Sequence, residues 1–302
     1  MGLGGALIWS GLVHDIKIQL GKESVLLYEC GIKNHLGGIR PSDHVMFHNN
    51  PNIKAILPKR LWKLLKYFYI FSNVEVVDMT NPEYLYWDEA TDEKMYLKEK
   101  GHAIGIASKV HGIHDSLLQP KVYLSDEEYN CALSLLKEHN LEQGSYFCVE
   151  PNSNLEWTPN RAWIPTYWNE LIVLLKDWMS KEGVDIPIVQ VGAKDPEIRL
   201  EGAVDLTGQL SFRETGGIIK NSRMFITTEG GLGHLATAVN ANSLMILSGY
   251  NPEELIHYPQ NINMYHSVEC SGCGLRTPCP NELKCMSGLT PRKVFEKIVS
   301  YY

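Results

Sequence analysis

Residues 223–249, RMFITTEGGLGHLATAVNANSLMILSG, decide how the rest of this chain is read. Met224–Thr228 is a short apolar run with β-branched members, the pattern of a strand buried on both faces of a parallel sheet. Glu229-Gly230-Gly231 interrupts it, residues 234–239 carry helical spacing, and Ser243–Leu247 returns to strand character. A glycine turn that feeds a strand into a helix leaves free backbone N–H groups at the helix start. Those groups and the helix dipole favour a phosphate or another anion. The glycines also let the backbone approach a ligand that any β-carbon would hold off. By itself the fragment is equally compatible with a tight βα turn of any α/β protein, Glu229 then being a surface charge that complements the dipole.

Working outward, the alternation continues. Residues 146–150, 187–191 and 224–228 read as strands, and residues 165–179, 212–220 and 291–299 as helices. Pro291 sits at the favoured first-turn position behind Thr290 as N-cap. Upstream, residues 25–29 (VLLYE), 45–47 and 74–77 (VEVV) read as strands, and residues 84–100, rich in Tyr, Glu and Lys, as a surface helix. Residues 61–71 mix basic, aromatic and apolar side chains without declaring a type. Residues 125–139 open with Ser-Asp-Glu-Glu, an N-cap followed by acids in the first turn. At the start, Gly2-Leu3-Gly4-Gly5 reads as another glycine turn, feeding a helix over 6–20, with no strand before it in this sequence. The joint Glu142-Gln143-Gly144-Ser145 divides the chain into domains 1–142 and 143–302. Strands alternating with helices imply right-handed crossovers and a parallel sheet, here twice.

Composition narrows the function classes. The 302 residues are 44% hydrophobic and 21% charged, an ordinary globular balance. A net charge of −7 argues against a general nucleic-acid or anionic-membrane surface, while leaving room for local basic patches. No apolar run reaches the roughly 18–20 residues that span a bilayer. The opening MGLGGALIWSGLV lacks the leading basic segment of a signal peptide, its first cation being Lys17, so it reads as folded core of a cytoplasmic protein. Of seven cysteines, four crowd into C-x2-C-x5-C-x5-C at Cys270, Cys273, Cys279 and Cys285. Four such thiolates can close a tetrahedral structural site for zinc or iron, with free thiols or disulfides as the alternative. Cys30, Cys131 and Cys148 stand alone in apolar contexts and read as buried thiols.

Set in order, several segments resemble glycosyltransferase family 9, the heptosyltransferase-like enzymes. They are TTEGGLGHLATAV at 227–239, Asp205-Leu206-Thr207-Gly208 before Ser211-Phe212-Arg213-Glu214, and Pro151-Asn152-Ser153 running to Arg161-Ala162-Trp163-Ile164-Pro165. The cysteine segment ending Lys284-Cys285-Met286 also occurs in many members. The resemblance is strongest over 146–300 and weak over 21–140. It implies an α/β fold of GT-B type, two Rossmann-like domains with parallel sheets facing across a cleft. The C-terminal domain would hold a nucleoside-diphosphate sugar and the N-terminal one the acceptor, a saccharide or protein. The transfer would be an inverting one of a sugar such as a heptose, without metal in the chemistry. Among relatives, iron in a four-cysteine site keeps iron open beside zinc.

The resemblance places Glu229, Gly230, Gly231 and His234 on the donor-diphosphate motif, with Ser153 and Thr207 as further donor-binding residues. Glu229 stands where the family usually has Asp. Arg161 matches a basic residue that neutralises the leaving diphosphate, a role suited to a guanidinium that grips two oxygens at once. The residues alone allow Arg161 to be a surface partner of Glu156, and His234 a helix histidine bonded to a nearby carbonyl. Asp195 or Glu197 could hold the ribose. The general base departs from the pattern, because the family's Asp position is occupied by Gly5. His14 and Asp15 lie about 14–15 Å further along the helix at ~1.5 Å per residue, which makes them poor substitutes, and His102, His111 and His114 are other histidines of that half. A lost base would leave a protein of the same fold that binds a nucleotide sugar or glycan with impaired turnover. A zinc ribbon for nucleic acid is disfavoured by net acidity and by sparse cations around the cluster.

Overall fold

In a computed structural model, residues 3–29, 45–88 and 91–302 are described. They fall into two compact units, one drawn from Met1–Asp88 with Leu97–Tyr123, the other from Glu89–Tyr96 with Leu124–Tyr302.

The first unit opens with helix α1 (Leu3–Leu20) and strand β1 (Glu23–Tyr28), followed by β2 (Ile53–Pro58), helix α2 (Lys59–Leu65), β3 (Val74–Asp78) and helix α3 (Ala103–Lys109). Its three-stranded parallel sheet has the order β2-β1-β3, so the central strand is the most buried, with Val25, Leu26 and Leu27 inside. Gly4 and Gly5 lie within the first turn of α1 rather than in a turn before it. The helix is apolar almost all round, and Leu7, Leu12, Val13 and Ile16 are fully enclosed. Gly11 permits the close crossing of α3, since a β-carbon there would lie 2.4 Å from Ile104 Cδ1.

Two expected elements of this half differ. Val45–Phe47 is a 3-10 turn, not a strand, and buries Met46 and Phe47. Three apolar residues cannot distinguish the two by periodicity. Residues 84–100 form no helix among the described residues. Pro82–Tyr84 is a 3-10 turn capped by Asn81, isolated bridges join Trp87 to Leu97 and Lys94 to Leu275, and Thr91 accepts from the Lys94 backbone N–H. The segment has no apolar stripe to bury, and local side-chain bonds such as that of Thr91 compete with helical ones. Cys30 lies outside the described residues.

The second unit runs α4 (Asp126–Glu138), β4 (Phe147–Glu150), α5 (Pro165–Glu182), β5 (Ile188–Gln190), β6 (Val204–Asp205), α6 (Phe212–Lys220), β7 (Met224–Thr228), α7 (Gly231–Ala238), β8 (Ser243–Leu247), α8 (Glu253–Ile256), β9 (Ile262–Tyr265), α9 (Lys284–Ser287) and α10 (Pro291–Val299). All six strands are parallel, in the order β6-β5-β4-β7-β8-β9. Counted from β4 this is the doubly wound order 3-2-1-4-5-6, whose direction of winding reverses between β4 and β7. Those two strands and β8 are buried at every position, as their unbroken apolar runs require. Trp163 and Trp168 meet edge to face at 4.9 Å within the core beneath α5 and α10.

The unit division places α4 with the second sheet, upstream of the expected joint at 142/143. Ser125 and Glu128 make the full capping box at its start. The buried Arg213 of α6 then pairs with Glu128, and Gly217 of α6 lies against Ala132. These contacts tie α4 to α6.

Candidate functional site

In an open parallel sheet, ligands bind beyond the carboxyl ends of the strands at the point where winding reverses. Here that point lies between Glu150, the last residue of β4, and Glu229, the first beyond β7. Both carboxyls are buried, which is unusual for acids without a full set of partners.

Glu150 Oε1 accepts from the Asn152 backbone N–H at 3.1 Å, while its Oε2 lies against Gly192. A β-carbon on Gly192 would stand 2.6 Å from that oxygen, and its φ of +139° suits only glycine. Burial pushes the Glu150 carboxyl up to about 8, with the Asn152 N–H pulling weakly the other way. At neutral pH Glu150 is therefore mostly a neutral acid.

Glu229 Oε1 accepts from Asn251 Nδ2 at 2.6 Å and from Arg161 at 3.2 Å. Its Oε2 is buried without a hydrogen-bond partner, as are Arg161 Nε and Ser153 Oγ. Burial raises the Glu229 carboxyl above its ordinary range against the pull of Arg161 and Asn251. Arg161 is held by the 3-10 turn Pro159–Arg161, which Thr158 caps, and its guanidinium lies 5.7 Å from the Tyr250 ring centre. Asn160 anchors that turn by donating to the carbonyls of Leu275 and Thr277. Arg161 thus pairs with Glu229 and not with Glu156.

Gly230 is the N-cap of α7 in extended backbone, and a β-carbon on it would meet nothing closer than 4.0 Å. Gly231 begins the helix. His234, one turn in, is buried, and its Nδ1 lies 2.7 Å from the Tyr258 hydroxyl rather than from a carbonyl. Burial and then the nearby Arg161 cation push it down to about 4, so the imidazole is neutral at physiological pH.

Arg161, Glu229, Gly230, Gly231 and His234 are therefore one neighbourhood. Thr207 stands apart, its hydroxyl and backbone N–H both donating to Asp205 Oδ1. Asp195 and Glu197 are exposed. Sequence reasoning missed Glu150, Tyr250, Asn251 and Tyr258. The signal for the first three was available, because each lies at or just past the carboxyl end of a strand that the sequence did suggest.

Of the N-terminal candidates, Asp15 is fully buried and clamps α1, accepting from Ser108 Oγ at 2.6 Å and the Leu117 N–H at 3.0 Å. His111 has both nitrogens engaged, by Glu75 and Tyr84. His102 caps α3 through Nδ1. These are structural contacts.

The expected thiolate cage is not assembled: among the described residues no three His, Cys, Asp or Glu side chains are placed to hold a metal ion. Cys270 is exposed and Cys285 buried. Burial raises the thiols of Cys273 and Cys285, and neighbouring cysteines add to it, so the four share a neighbourhood without a ligand geometry. The donor chemistry suits zinc or iron; the described arrangement does not. Cys148 is buried as expected, whereas Cys131 is exposed, lying at the surface of α4 beside Glu214 of α6. Among the described residues no helix is long and apolar enough to cross a membrane.

Comparison with known proteins bears on this geometry. Residues 99–283 match the model of glycosyltransferase family 9 (heptosyltransferase). A family 9 glycosyl transferase from Veillonella parvula is similar in structure, with a TM-score of 0.63 at 10% identity over 99% of this chain and 94% of the other. ADP-heptose LPS heptosyltransferase II of E. coli gives 0.58 at 12% identity over 99% and 95%. The iron-containing dodecameric heptosyltransferase TibC, from enterotoxigenic E. coli and solved with ADP-D-β-D-heptose, gives 0.52 at 17% identity over 92% and 76%. No curated protein sequence matches the chain. With parallel sheets in a GT-B-like fold and more than half its length matched by the family model, the chain belongs to glycosyltransferase family 9, the heptosyltransferase family.

Proposed function

We propose that this protein transfers a sugar, a heptose being the first candidate, from a nucleoside-diphosphate donor to a saccharide or protein acceptor in the cytoplasm, with inversion at the anomeric carbon. The observation that carries the reading is the fixed Arg161 guanidinium beside Glu229, at the sheet's switch point and next to the start of α7. Departure of a nucleoside diphosphate builds negative charge on the leaving oxygen. A cation held in place before the reaction stabilises that charge without reorganising. The free N–H groups at the start of α7 add to it, and the space beside Gly230 admits a phosphate close to the backbone.

The surrounding groups support the same role. With Tyr258 donating to its Nδ1, a neutral His234 carries its proton on Nε2 and can donate to a phosphate oxygen. Ser153 offers a hydroxyl that has no protein partner. Glu229, raised by burial, opposes an incoming anion less than an ordinary carboxylate would. Thr207, beyond β6, would join the donor set only by giving up its bond to Asp205. The heptosyltransferase solved with ADP-D-β-D-heptose supports an ADP-sugar as the first donor to try. Isothermal titration with ADP-, GDP- and UDP-sugars tests this directly. One of them binds the parent, Arg161→Ala weakens it by about tenfold or more as loss of a charge-assisted contact predicts, and no binding of any donor contradicts the proposal.

A second reading rests on Gly5. It stands in the first turn of α1 where the family places its Asp, and Asp15 is committed to Ser108 and Leu117. A chain that binds the donor without a base for the acceptor hydroxyl turns over slowly. Gly5→Asp then raises turnover, and a variant no faster than its parent removes the lost-base account. The four cysteines enter the proposal only as a structural thiolate site that closes around zinc or iron. Elemental analysis of protein purified without added metal finds one of the two, and absence of both contradicts it.

A further inference from the structure

The segment after β2 breaks the rule that helices bury an apolar face. Residues 59–71 read KRLWKLLKYFYIF and form α2 followed directly by a 3-10 turn over Lys66–Tyr69. Neither piece contains a single buried residue. Leu64 is 71% exposed and Phe68 80%, while Tyr67, Ile70 and Phe71 are also largely in solvent. Scattered exposed apolar side chains are ordinary, but this many within one short segment mark an interaction surface.

Charge says what the surface fits. Although the whole chain carries −7, no acidic residue occurs between Asp43 and Glu75, a stretch that contains Lys54, Lys59, Arg60, Lys63 and Lys66. Lys59 is paired with Asp78 and Lys54 with Glu23. Arg60 and Lys63 have no ion pair among the described residues, and Lys66 lies over the Tyr67 ring. Leu61, Leu64, Phe68 and Phe71 recur at i, i+3, i+7 and i+10, with Arg60 at the border of that stripe, and Lys59, Lys63 and Lys66 recur at i, i+4 and i+7 on the opposite face. An apolar stripe bordered by Arg60, with Trp and Tyr at its edges and a lysine-rich polar face behind it, matches the boundary between acyl chains and anionic headgroups. The long Lys and Arg stems can lie along the apolar stripe while their charges reach phosphates.

We propose that residues 59–71 form a membrane-surface anchor that inserts its apolar stripe among the headgroups of an anionic bilayer. A protein partner would need its own acidic and apolar complement, whereas an anionic bilayer supplies both over the whole segment. The anchor requires no transmembrane helix and is independent of the donor site.

The test is flotation of the full-length protein with vesicles of phosphatidylcholine, with and without phosphatidylglycerol. The protein floats with the anionic vesicles, less as salt is raised, and little with the neutral ones. Phe68→Ser with Phe71→Ser lowers partitioning by about tenfold or more. Arg60→Glu with Lys63→Glu does the same, since each cation near such a surface contributes roughly fivefold. Circular dichroism and the thermal midpoint of both double variants stay those of the parent, because none of the four residues is buried. Absence of flotation, or flotation unaffected by either variant, overturns the proposal. So does sedimentation showing that the parent self-associates through this face, Phe68→Ser with Phe71→Ser dispersing it while vesicle partitioning is unmoved.

Discussion

Glu150→Gln removes one ionisable proton from the end of β4 while keeping the shape and the acceptor oxygen that meets the Asn152 N–H. Burial holds the native carboxyl near 8, against about 4.5 when the chain is unfolded. Between those values the unfolded chain has released the proton and the folded chain still holds it, so stability falls as pH rises. The full shift amounts to about 5 kcal/mol above pH 8 and about 3 kcal/mol at pH 7, upper values that water entry and relaxation reduce. Glutamine carries no such penalty. Parent and variant are therefore nearly equal at pH 5, and the variant gains steadily to pH 8, where its urea midpoint exceeds the parent's by about 1 M or more for a slope of ~2 kcal/mol/M. Trp163 and Trp168, both fully buried in this unit, report its unfolding by fluorescence. Two parallel stability curves from pH 5 to 8 would refute a neutral buried acid at this position.

Two further changes probe the frame that holds the site. Trp163→Ala removes the indole whose N–H donates to the Leu289 carbonyl at 2.8 Å and which packs on Trp168, so chemical denaturation shows a loss of about 3–5 kcal/mol. Arg213→Ala strips Glu128 of the partner that chiefly lowers its carboxyl. Breaking a largely buried pair costs about 3 kcal/mol near neutrality. A carboxyl held low stabilises the fold above its unfolded value and loses that contribution as pH falls through the folded one. The gap between parent and variant accordingly narrows on acidification below about pH 4, and a gap that widens there contradicts the pairing.

The second sheet was legible because its strands are buried on both faces and announce themselves as unbroken apolar runs, as in β7 and β8. Strong local chemistry also fixed ends: the Ser211 and Ser125 capping boxes, and Thr290 before Pro291. Edge strands were not legible. The half-buried β9 and the two-residue β6 carry no periodic signal, and β2 is masked by the basic run that follows it. The first unit misled more often because its short apolar pieces fit strand and 3-10 turn alike, as Val45–Phe47 did. At the site, Arg161 and Glu229 could be named from sequence, but their pairing joins residues 68 apart and needs the sheet order. Tyr258 is invisible for the same reason, and Asn251, placed just past β8, showed its position but not its bond to Glu229. Their side chains matter only through partners that the fold delivers.

The claim on which the functional account rests is that a donor diphosphate lies at the carboxyl ends of β4 and β7. A crystal structure of the protein with an intact or fluorinated ADP-sugar tests it most directly. The account predicts diphosphate oxygens within hydrogen-bonding distance of the Arg161 guanidinium and the first backbone N–H groups of α7. A nucleotide bound away from both would contradict it.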